Sequence, residues 1–594
     1  MAELNSQPTT VQSVYSWYAD KKLHVNRRYQ RKLVWTLKEK QRLIESILKK
    51  YPIPAILIAE AEWEGESGIY EIIDGLQRLQ AIVSFIENAF PTLDGTYFDV
   101  KDLKKADARA EQGVFFPNKQ AQYLSAEDSS TLLDYVLALS VMRGATEVEV
   151  DDVFSRINTF GHRLSDQERR QAGVKGKFSE MVRNIACTIR GDVSSSDFLP
   201  LEIMPSISID LPKTKHGYSI PASEVFWVEQ GILRSTDLRD SMDEQCIADI
   251  AACIIGGKLI ERSKNALDKI YDSESSESKR IANALDTYGA DRFSSEFKYC
   301  IDEIIKVCNE GESTRLRNLL FARKTNNSFQ SVFSSLFIAF HNLIILEKKA
   351  IGDYLGVKKS LAKLTKRIET GKSATSPDER DRNIKSVDSL IREHFSRLSQ
   401  EGEIYNDDTY LDVNNYLRRI SLEVSNFELK QGLLNLDESR KMDESAIQKV
   451  MNTICAIANN GPNSKGIILI GVADKPRDAQ RIEDLDGISP IKISERSVVG
   501  IDREAKILKK SREEYLGLWK DKIRSSSLPD HLQISVLSNI RYNSYHGLGV
   551  IIIQVPKQKQ LSLMGEDLYY REVDETKKAK SMKTIAQISQ RFSA

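Results

Sequence analysis

Cysteine and histidine are scarce in this chain of 594 residues, and neither is clustered. The six cysteines, Cys187, Cys246, Cys253, Cys300, Cys308 and Cys455, form no Cys-x-x-Cys pair, which argues against a zinc knuckle or a thioredoxin-like site. Buried free thiols in a reducing cytoplasm are the expected state. The seven histidines contain no His-x-x-x-His or HNH-type cluster, which removes one common class of metal nuclease. No phosphate-binding loop of the form GxxxxGK[ST] occurs. Charge of one sign is also lacking, because 85 basic residues meet 85 acidic ones. That balance excludes a simple basic nucleic-acid coat, although a local stripe can still hold phosphate through its own field. Only 15 prolines and 30 glycines argue against a collagen-like chain, a long disordered one or a turn-dense β-sandwich. The longest apolar stretches, such as 466–473 and 550–553, fall well short of the ~18 residues of a membrane span. Met1-Ala2-Glu3-Leu4-Asn5 offers neither a basic nor an apolar leader region, so no secretory signal and a cytoplasmic location are expected.

What remains reads as an α+β multidomain protein in three blocks: 1–175 of mixed strands and helices, a helical middle over 176–400, and an α/β block over 401–594. In the first block, Thr36-Leu37-Lys38-Glu39 is a capping box opening a helix with Leu37, Ile44, Ile47 and Leu48 on one face. Strands are expected at 53–59 and 69–73. The second runs into Asp74-Gly75-Leu76-Gln77-Arg78, and a further helix follows through Leu79, Ile82, Val83 and Ile86. In the middle block 247–260, 297–307, 329–346 and 386–398 carry apolar residues at helical spacing. The polar stretch 370–383 reads as a linker. In the last block strands are expected at 427–430, 467–472, 533–537, 550–555 and 568–572, with a helix through Ile447, Val450, Met451 and Ile454.

The first constellation with chemistry is N-terminal. Residues 21–50 hold eleven basic side chains against Glu39 and Glu45, with Tyr29 and Trp35 interleaved. Such a run is a solvated face or a phosphate-binding surface. Asp74 can hold a metal or a water, Gln77 can orient that water, and Arg78 can clamp phosphate oxygens. The alternative is a turn in which Asp74 caps the helix and Arg78 pairs with a carboxylate. Asn26-Arg27-Arg28-Tyr29-Gln30-Arg31, Pro52-Ile53-Pro54 and Asp74-Gly75-Leu76-Gln77-Arg78-Leu79 resemble the ParB/sulfiredoxin-like "DGQQR" domain of GmrSD-type restriction and phage-defence proteins. Phe154-Ser155-Arg156-Ile157-Asn158-Thr159-Phe160-Gly161, with Leu164-Ser165 and Glu168, resembles a later motif of that family. The resemblance implies nucleotide hydrolysis or sensing of modified DNA, with Arg31, Asp74, Gln77, Arg78 and Asn158 as the nucleotide- or DNA-binding residues. The chain departs from the motif at Leu76, where the family carries Gln.

The second constellation is C-terminal. Glu428 and Lys430, two apart on a strand, share a face. Glu423 lies five residues upstream and Asp474 follows the buried strand. Three carboxylates and a lysine at strand ends suit Mg²⁺ or Mn²⁺ and a phosphodiester. The alternative is an exposed Glu428–Lys430 pair with Asp474 in a turn. The residues Phe427-Glu428-Leu429-Lys430, Ala456-Ile457-Ala458-Asn459, the run from Gly466 to Asp474, and Tyr569-Tyr570-Arg571 look like the AlbA-like domain of the Schlafen family. That resemblance implies a nuclease site of Glu423, Glu428, Lys430 and Asp474, with Glu423, Glu428 and Asp474 as metal ligands. Here too the chain departs, with Asn459-Asn460-Gly461-Pro462-Asn463-Ser464-Lys465-Gly466 in place of the usual Asn-Thr-x-Gly-Gly turn.

Together these features lead to the expectation of a defence protein that senses modified or foreign nucleic acid and cleaves DNA or RNA with Mg²⁺ or Mn²⁺. A nucleoside triphosphate is an expected further ligand, a homo-oligomer an expected assembly, and a membrane is not an expected partner. Two alternatives stand beside it: a nucleotide-regulated DNA-binding protein with a silent AlbA-like module, and a scaffold binding partner proteins.

Overall fold

The computed structural model describes residues 3–592 apart from 27–32, 34, 64–65, 119, 147–148, 151, 155, 157–164, 172–175, 192–197, 205, 209–218, 398–409, 420–423, 463, 494–495 and 573–574. Two compact units emerge. One holds residues 1–297 and 314–397, the other 298–313 and 398–594, so the division passes through the helix Ala290–Asn309. Both ends of the chain are α+β, and the intervening region is largely helical. Among the described residues no helix is long and apolar enough to cross a membrane.

The first unit opens with a mixed sheet of β1 (Glu3–Thr10), β2 (Leu23–Asn26), β3 (Ile56–Trp63), β4 (Glu66–Asp74), β5 (Val136–Arg143) and β6 (Phe198–Pro200), in the order β1-β5-β3-β4-β2-β6. Strand alternation divides its side chains between two faces. Val25, Ile58, Ile72 and Leu139 enter the main core with the helices Val11–Ala19, Leu37–Leu48 and Leu76–Ile86. Ala59, Ile73 and Met142 enter a smaller cluster with Val150 and Phe154. The Thr36 capping box is formed, with Thr36 N donating to Glu39 Oε2 at 2.7 Å and Glu39 N to Thr36 Oγ1 at 3.3 Å.

Short pairs β7 (Ser206–Ser208) with β8 (Ser219–Pro221), and β9 (Lys349–Ile351) with β10 (Phe395–Arg397), interrupt the helical region. Its interior carries paired charge. Arg190, 1 % exposed, grips Asp243 at 2.5 and 2.7 Å and Glu244 at 2.8 Å. Arg380 takes both oxygens of Asp249 at 2.8 and 2.9 Å. That second pair corrects the linker expected at 370–383. Ser376 caps and Pro377 opens the helix Pro377–Ile391; two of its polar residues, Arg380 and Asn383, are buried ion-pair and hydrogen-bond partners, while Arg382 and Lys385 are exposed. The helix expected over 386–398 correspondingly ends at Ile391 and gives way to β10.

The second unit is built on β11 (Phe427–Lys430), β12 (Gly466–Ile470), β16 (Ile540–Tyr545) and β17 (Leu548–Val555), in the order β11-β12-β17-β16. A smaller sheet joins β13 (Val472–Ala473), β14 (Ile491–Ile493) and β15 (Arg496–Val498), and β18 (Tyr569–Glu572) pairs with β19 (Glu575–Lys578). Ile468, Ile470, Ile551 and Ile553 form the core with Val450, Ile454, Tyr515 and Trp519. The strand expected at 533–537 is instead the C-terminal part of the helix Asp530–Leu537. Pro529 sits at its N-cap, and Leu532 and Val536, four apart, are its buried residues.

Candidate nucleotide and nucleic-acid sites

In the first unit, β4 ends at Asp74 and the chain turns directly into the helix Leu76–Ile86. Gly75 makes that turn possible. Its φ is +97°, and a Cβ there would stand 2.9 Å from Ile56 Cγ1. Leu76 is buried in the core, so the residue that departs from the family motif is a packing residue. Gln77 Oε1 accepts from Trp35 N at 3.2 Å. Arg78 donates from Nη1 to the carbonyls of Pro54 and Ala55 at 2.6 and 3.0 Å, and from Nη2 to Asp74 Oδ2 at 2.6 Å. The side chain of Arg78 is 12 % exposed and that of Asp74 is 40 % exposed. The pair therefore closes the turn onto the segment before β3 while leaving a carboxylate edge facing solvent.

Asp74 also lines a cavity of about 540 Å³ with an apolar wall of Ile56, Leu57, Met142 and Val153. Glu149 and Asp152 line it too, and no Lys or Arg does among the described residues. Glu149 accepts from Thr146 N at 2.9 Å, and Asp152 pairs with Arg156 at 2.8 Å. Three carboxylates favour cations and hydrogen-bond donors over a bare phosphate. Arg31 and Asn158 lie outside the described residues. The motif around Asn158 has structural roles at both ends. Phe154 is buried with Ile73 and Met142. Ser165 and Glu168 form a capping box, with Ser165 N to Glu168 Oε2 at 2.9 Å and Glu168 N to Ser165 Oγ at 3.2 Å. In the basic stretch, Lys40 is buried and lies 6.0 Å from the Phe90 ring centroid, so this cation does not belong to an open face.

In the second unit, β11 buries Phe427 and Leu429 and turns Glu428 and Lys430 to its other side, where Lys430 Nζ donates to Glu428 Oε1 at 2.6 Å. The remaining oxygen, Oε2, accepts from Arg571 Nη1 at 3.0 Å. Arg571 itself is 1 % exposed and also donates to Thr576 Oγ1 at 2.9 Å and to the Phe427 carbonyl at 3.1 Å. Arg571 was visible beforehand only as part of the Tyr569-Tyr570-Arg571 strand. A buried arginine on one strand and a glutamate 143 residues earlier on another leave no local spacing signal.

Asp474 follows β13, past a kink at Gly471. The φ of +100° there, and the 2.8 Å approach of a notional Cβ to the Gly549 carbonyl, allow the chain to pass from one sheet into the next. Asp474 is half exposed and pairs with Arg496 at 3.2 Å. The turn that departs from the family pattern is tied down by its asparagines. Buried Asn459 donates to the Ser562 and Tyr569 carbonyls at 2.8 and 2.9 Å, and Asn460 bonds Ser425 O and Asn426 Oδ1 just before β11. Glu423 lies outside the described residues. Among the described residues no group of three or more His, Cys, Asp or Glu side chains gathers as a metal site. Carboxylate oxygens are the ligand type a hard divalent cation takes, and here those of Glu428 are held by Lys430 and Arg571 and Asp474 is paired with Arg496.

Residues 14–174 match the family model described as the GmrSD restriction endonuclease N-terminal domain, a span that includes Asp74, Gln77 and Arg78. Residues 423–581 match the model described as Schlafen, AlbA_2, a span that begins at Glu423 and includes Glu428, Lys430, Asp474 and Arg571. Neither the curated proteins nor the solved structures gave a match. The chain thus carries a GmrSD_N-like domain at its N-terminal end and, separately, a Schlafen AlbA_2-like domain at its C-terminal end.

Proposed function

We propose that this protein is an anti-phage defence factor with a sensor of modified or foreign nucleic acid at its N-terminal end and a metal-dependent nuclease at its C-terminal end. In this reading the domains are 1–175, of ParB/sulfiredoxin-like fold, a helical connector over 176–400, and an AlbA-like domain over 401–594. The observation that carries it is β11, on which Glu428 and Lys430 stand side by side with a carboxylate and an ammonium on one face. The two family matches support the same division of labour.

Glu423, Glu428 and Asp474 would hold Mg²⁺ or Mn²⁺. A bound cation of this kind lowers the pKa of an attacking water and stabilises the charge that develops on phosphorus oxygens. Lys430 then meets the scissile phosphate, and Arg571 fixes the orientation of Glu428. At the other end, Asp74, Gln77, Arg78, Arg31 and Asn158 would serve a nucleotide or a DNA phosphate. The carboxylates around the Asp74 cavity call for a cation between them and that phosphate.

One observation favours a second reading, in which the AlbA-like module binds nucleic acid without cutting it. Both oxygens of Glu428 are already engaged, by Lys430 and by Arg571. Incubating the purified protein with plasmid, single-stranded DNA and tRNA, with and without Mn²⁺, separates the two. Metal-dependent cleavage of any substrate supports the nuclease, and binding of all three without cleavage supports the second reading.

A further inference from the structure

A cleft of about 880 Å³ opens in the second unit between Arg440, the segment 499–512 and the β16–β17 turn at Gly547. Neither Glu428, Lys430 nor Asp474 lines it. Its charges fall into two layers. The inner layer is largely paired within itself. Arg503 and Arg440 converge on Asp486 at 2.7 and 2.6 Å; Arg503 also bonds the Gly500 carbonyl and the Gln431 side chain and carbonyl, Arg440 Nη1 bonds the Asn435 carbonyl, and the buried Arg440 Nε has no hydrogen-bond partner among the described residues. That layer builds the wall and has little left to offer a ligand.

The outer layer is different. Lys506 and Lys510 are exposed, and neither ammonium has a hydrogen-bond or ion-pair partner among the described residues. Arg512 gives its Nε to Asp502 at 2.6 Å and lies over the Tyr542 ring at 5.4 Å, which props the guanidinium at the rim. The cleft is also lined by the exposed carboxylate of Glu438 and by the apolar Ile488, Val499 and Leu548, with Ile507 still 41 % exposed. The folded domain leaves Ile507 partly in water at a hydrophobic cost.

We infer that this cleft binds a nucleoside phosphate, with the base against Ile507, Ile488 and Leu548 and the phosphates at Lys506, Lys510 and Arg512. Cations alone would suit any anion, and an apolar wall alone would suit any hydrophobe. A nucleoside phosphate joins an apolar face to a dense negative charge and so satisfies both parts of the lining at once. The volume lies within the ~300–1,000 Å³ of ordinary small-ligand sites. The same chemistry is carried by a nucleic-acid strand, and the free nucleotide is the source to which the inference commits. This site rests neither on the nuclease reading nor on the Asp74 cavity.

The test uses the full chain in an Asp74→Ala background, chosen to weaken the nucleotide site proposed for the N-terminal domain. Binding of N-methylanthraniloyl ATP and GTP is followed by fluorescence anisotropy, with inorganic phosphate and a single-stranded oligonucleotide as competitors. The expected result is saturable binding that weakens at least tenfold in Lys506→Glu/Lys510→Glu and again in Ile507→Asp. Unlabelled nucleotide should compete, and phosphate should compete at least tenfold less well. Lys583→Glu, on the separate helix Met582–Gln590, should change nothing. Absence of binding, binding indifferent to the Lys506/Lys510 reversal, or competition by phosphate as strong as by nucleotide overturns the inference. So does an oligonucleotide that alone binds in a Lys506- and Lys510-dependent way, since the cleft would then be part of a strand-binding surface.

Discussion

Arg571 reaches across 143 residues of chain to place Nη1 3.0 Å from Glu428 Oε2, while its Nη2 bonds the carbonyl of the preceding residue, Phe427. The β18 strand therefore fixes both the backbone and the side chain of the strand that carries the proposed catalytic pair. Because Arg571 is 1 % exposed, its replacement by Met leaves Glu428 Oε2 and the Phe427 carbonyl without the bonds it supplies, with Lys430 still on Oε1. Arg571→Met should lower unfolding stability by roughly 3 kcal/mol, within the range for breaking a buried pair from one side. Lys430→Met, at a side chain 24 % exposed, should cost clearly less. Urea denaturation of both variants checks the order, and equal losses would show that Arg571 is not the anchor.

Gly75 joins Asp74 to the helix that carries Gln77 and Arg78. A side chain there meets both the positive φ and Ile56. Gly75→Ala should destabilise the domain by about 1–3 kcal/mol, as for other non-glycine residues forced into that region. Thermal unfolding followed by circular dichroism measures it, and an unchanged midpoint would remove the strain argument.

Five of the six cysteines are buried, and Cys187 is half-buried. Burial pushes the Cys246 thiol up to about 12 and those of Cys253 and Cys455 up to about 11. Since the thiolate is the reactive form, N-ethylmaleimide at neutral pH should label Cys187 first in the folded protein and all six thiols only after unfolding. Peptide mass spectrometry reads the sites. Rapid native labelling of Cys246, Cys253 or Cys455 would contradict the burial of their helices.

Glu347 is held low, at about 2 against an ordinary 4.5, first by the bidentate bonds from Arg392 at 2.7 Å each and then by Lys349 at 2.8 Å. A carboxyl lowered in the folded state stabilises above its unfolded value and loses that contribution as pH falls from there toward the folded value. Its exposure keeps the contribution small through solvent screening. The melting temperature of Glu347→Gln should therefore lie below that of the parent at about pH 6, and the gap should close toward about pH 3. A gap that widens on acidification would reverse the assignment.

Much of this architecture was legible wherever periodicity was strong. The helices Leu37–Leu48, Leu76–Ile86 and Glu444–Ala458 and the strands β11 and β17 fall where capping boxes, helical spacing or apolar runs put them. Residues 370–383 misled because a helix that buries Arg380 on Asp249 looks, in one dimension, like solvated polar chain. Residues 533–537 misled because Ile534 is 66 % exposed, so an apolar run does not mark the buried face that Leu532 and Val536 form. β1 and β6 take their places through pairing with distant strands and carry little pattern of their own. At the sites, Asp74 with Arg78 and Glu428 with Lys430 were legible because each pair is local. Arg571, and the Lys506–Lys510–Ile507 cleft, were not. Their significance lies in what the fold lays opposite them.

In the proposed nuclease, Glu428 serves metal-dependent cleavage. Alanine at this position would strand Arg571, so the decisive variant is Glu428→Gln, which keeps the shape and an acceptor for Arg571 while removing the charge. Cleavage of plasmid, single-stranded DNA and tRNA by the full chain with Mn²⁺ is compared between wild type and this variant, with binding of the same substrates measured in parallel. Metal-ion catalysis contributes several kcal/mol, so cleavage should fall by about two orders of magnitude or more. Binding should persist, because the lost carboxylate repels phosphate. A Glu428→Gln protein that cuts at the wild-type rate would contradict the account.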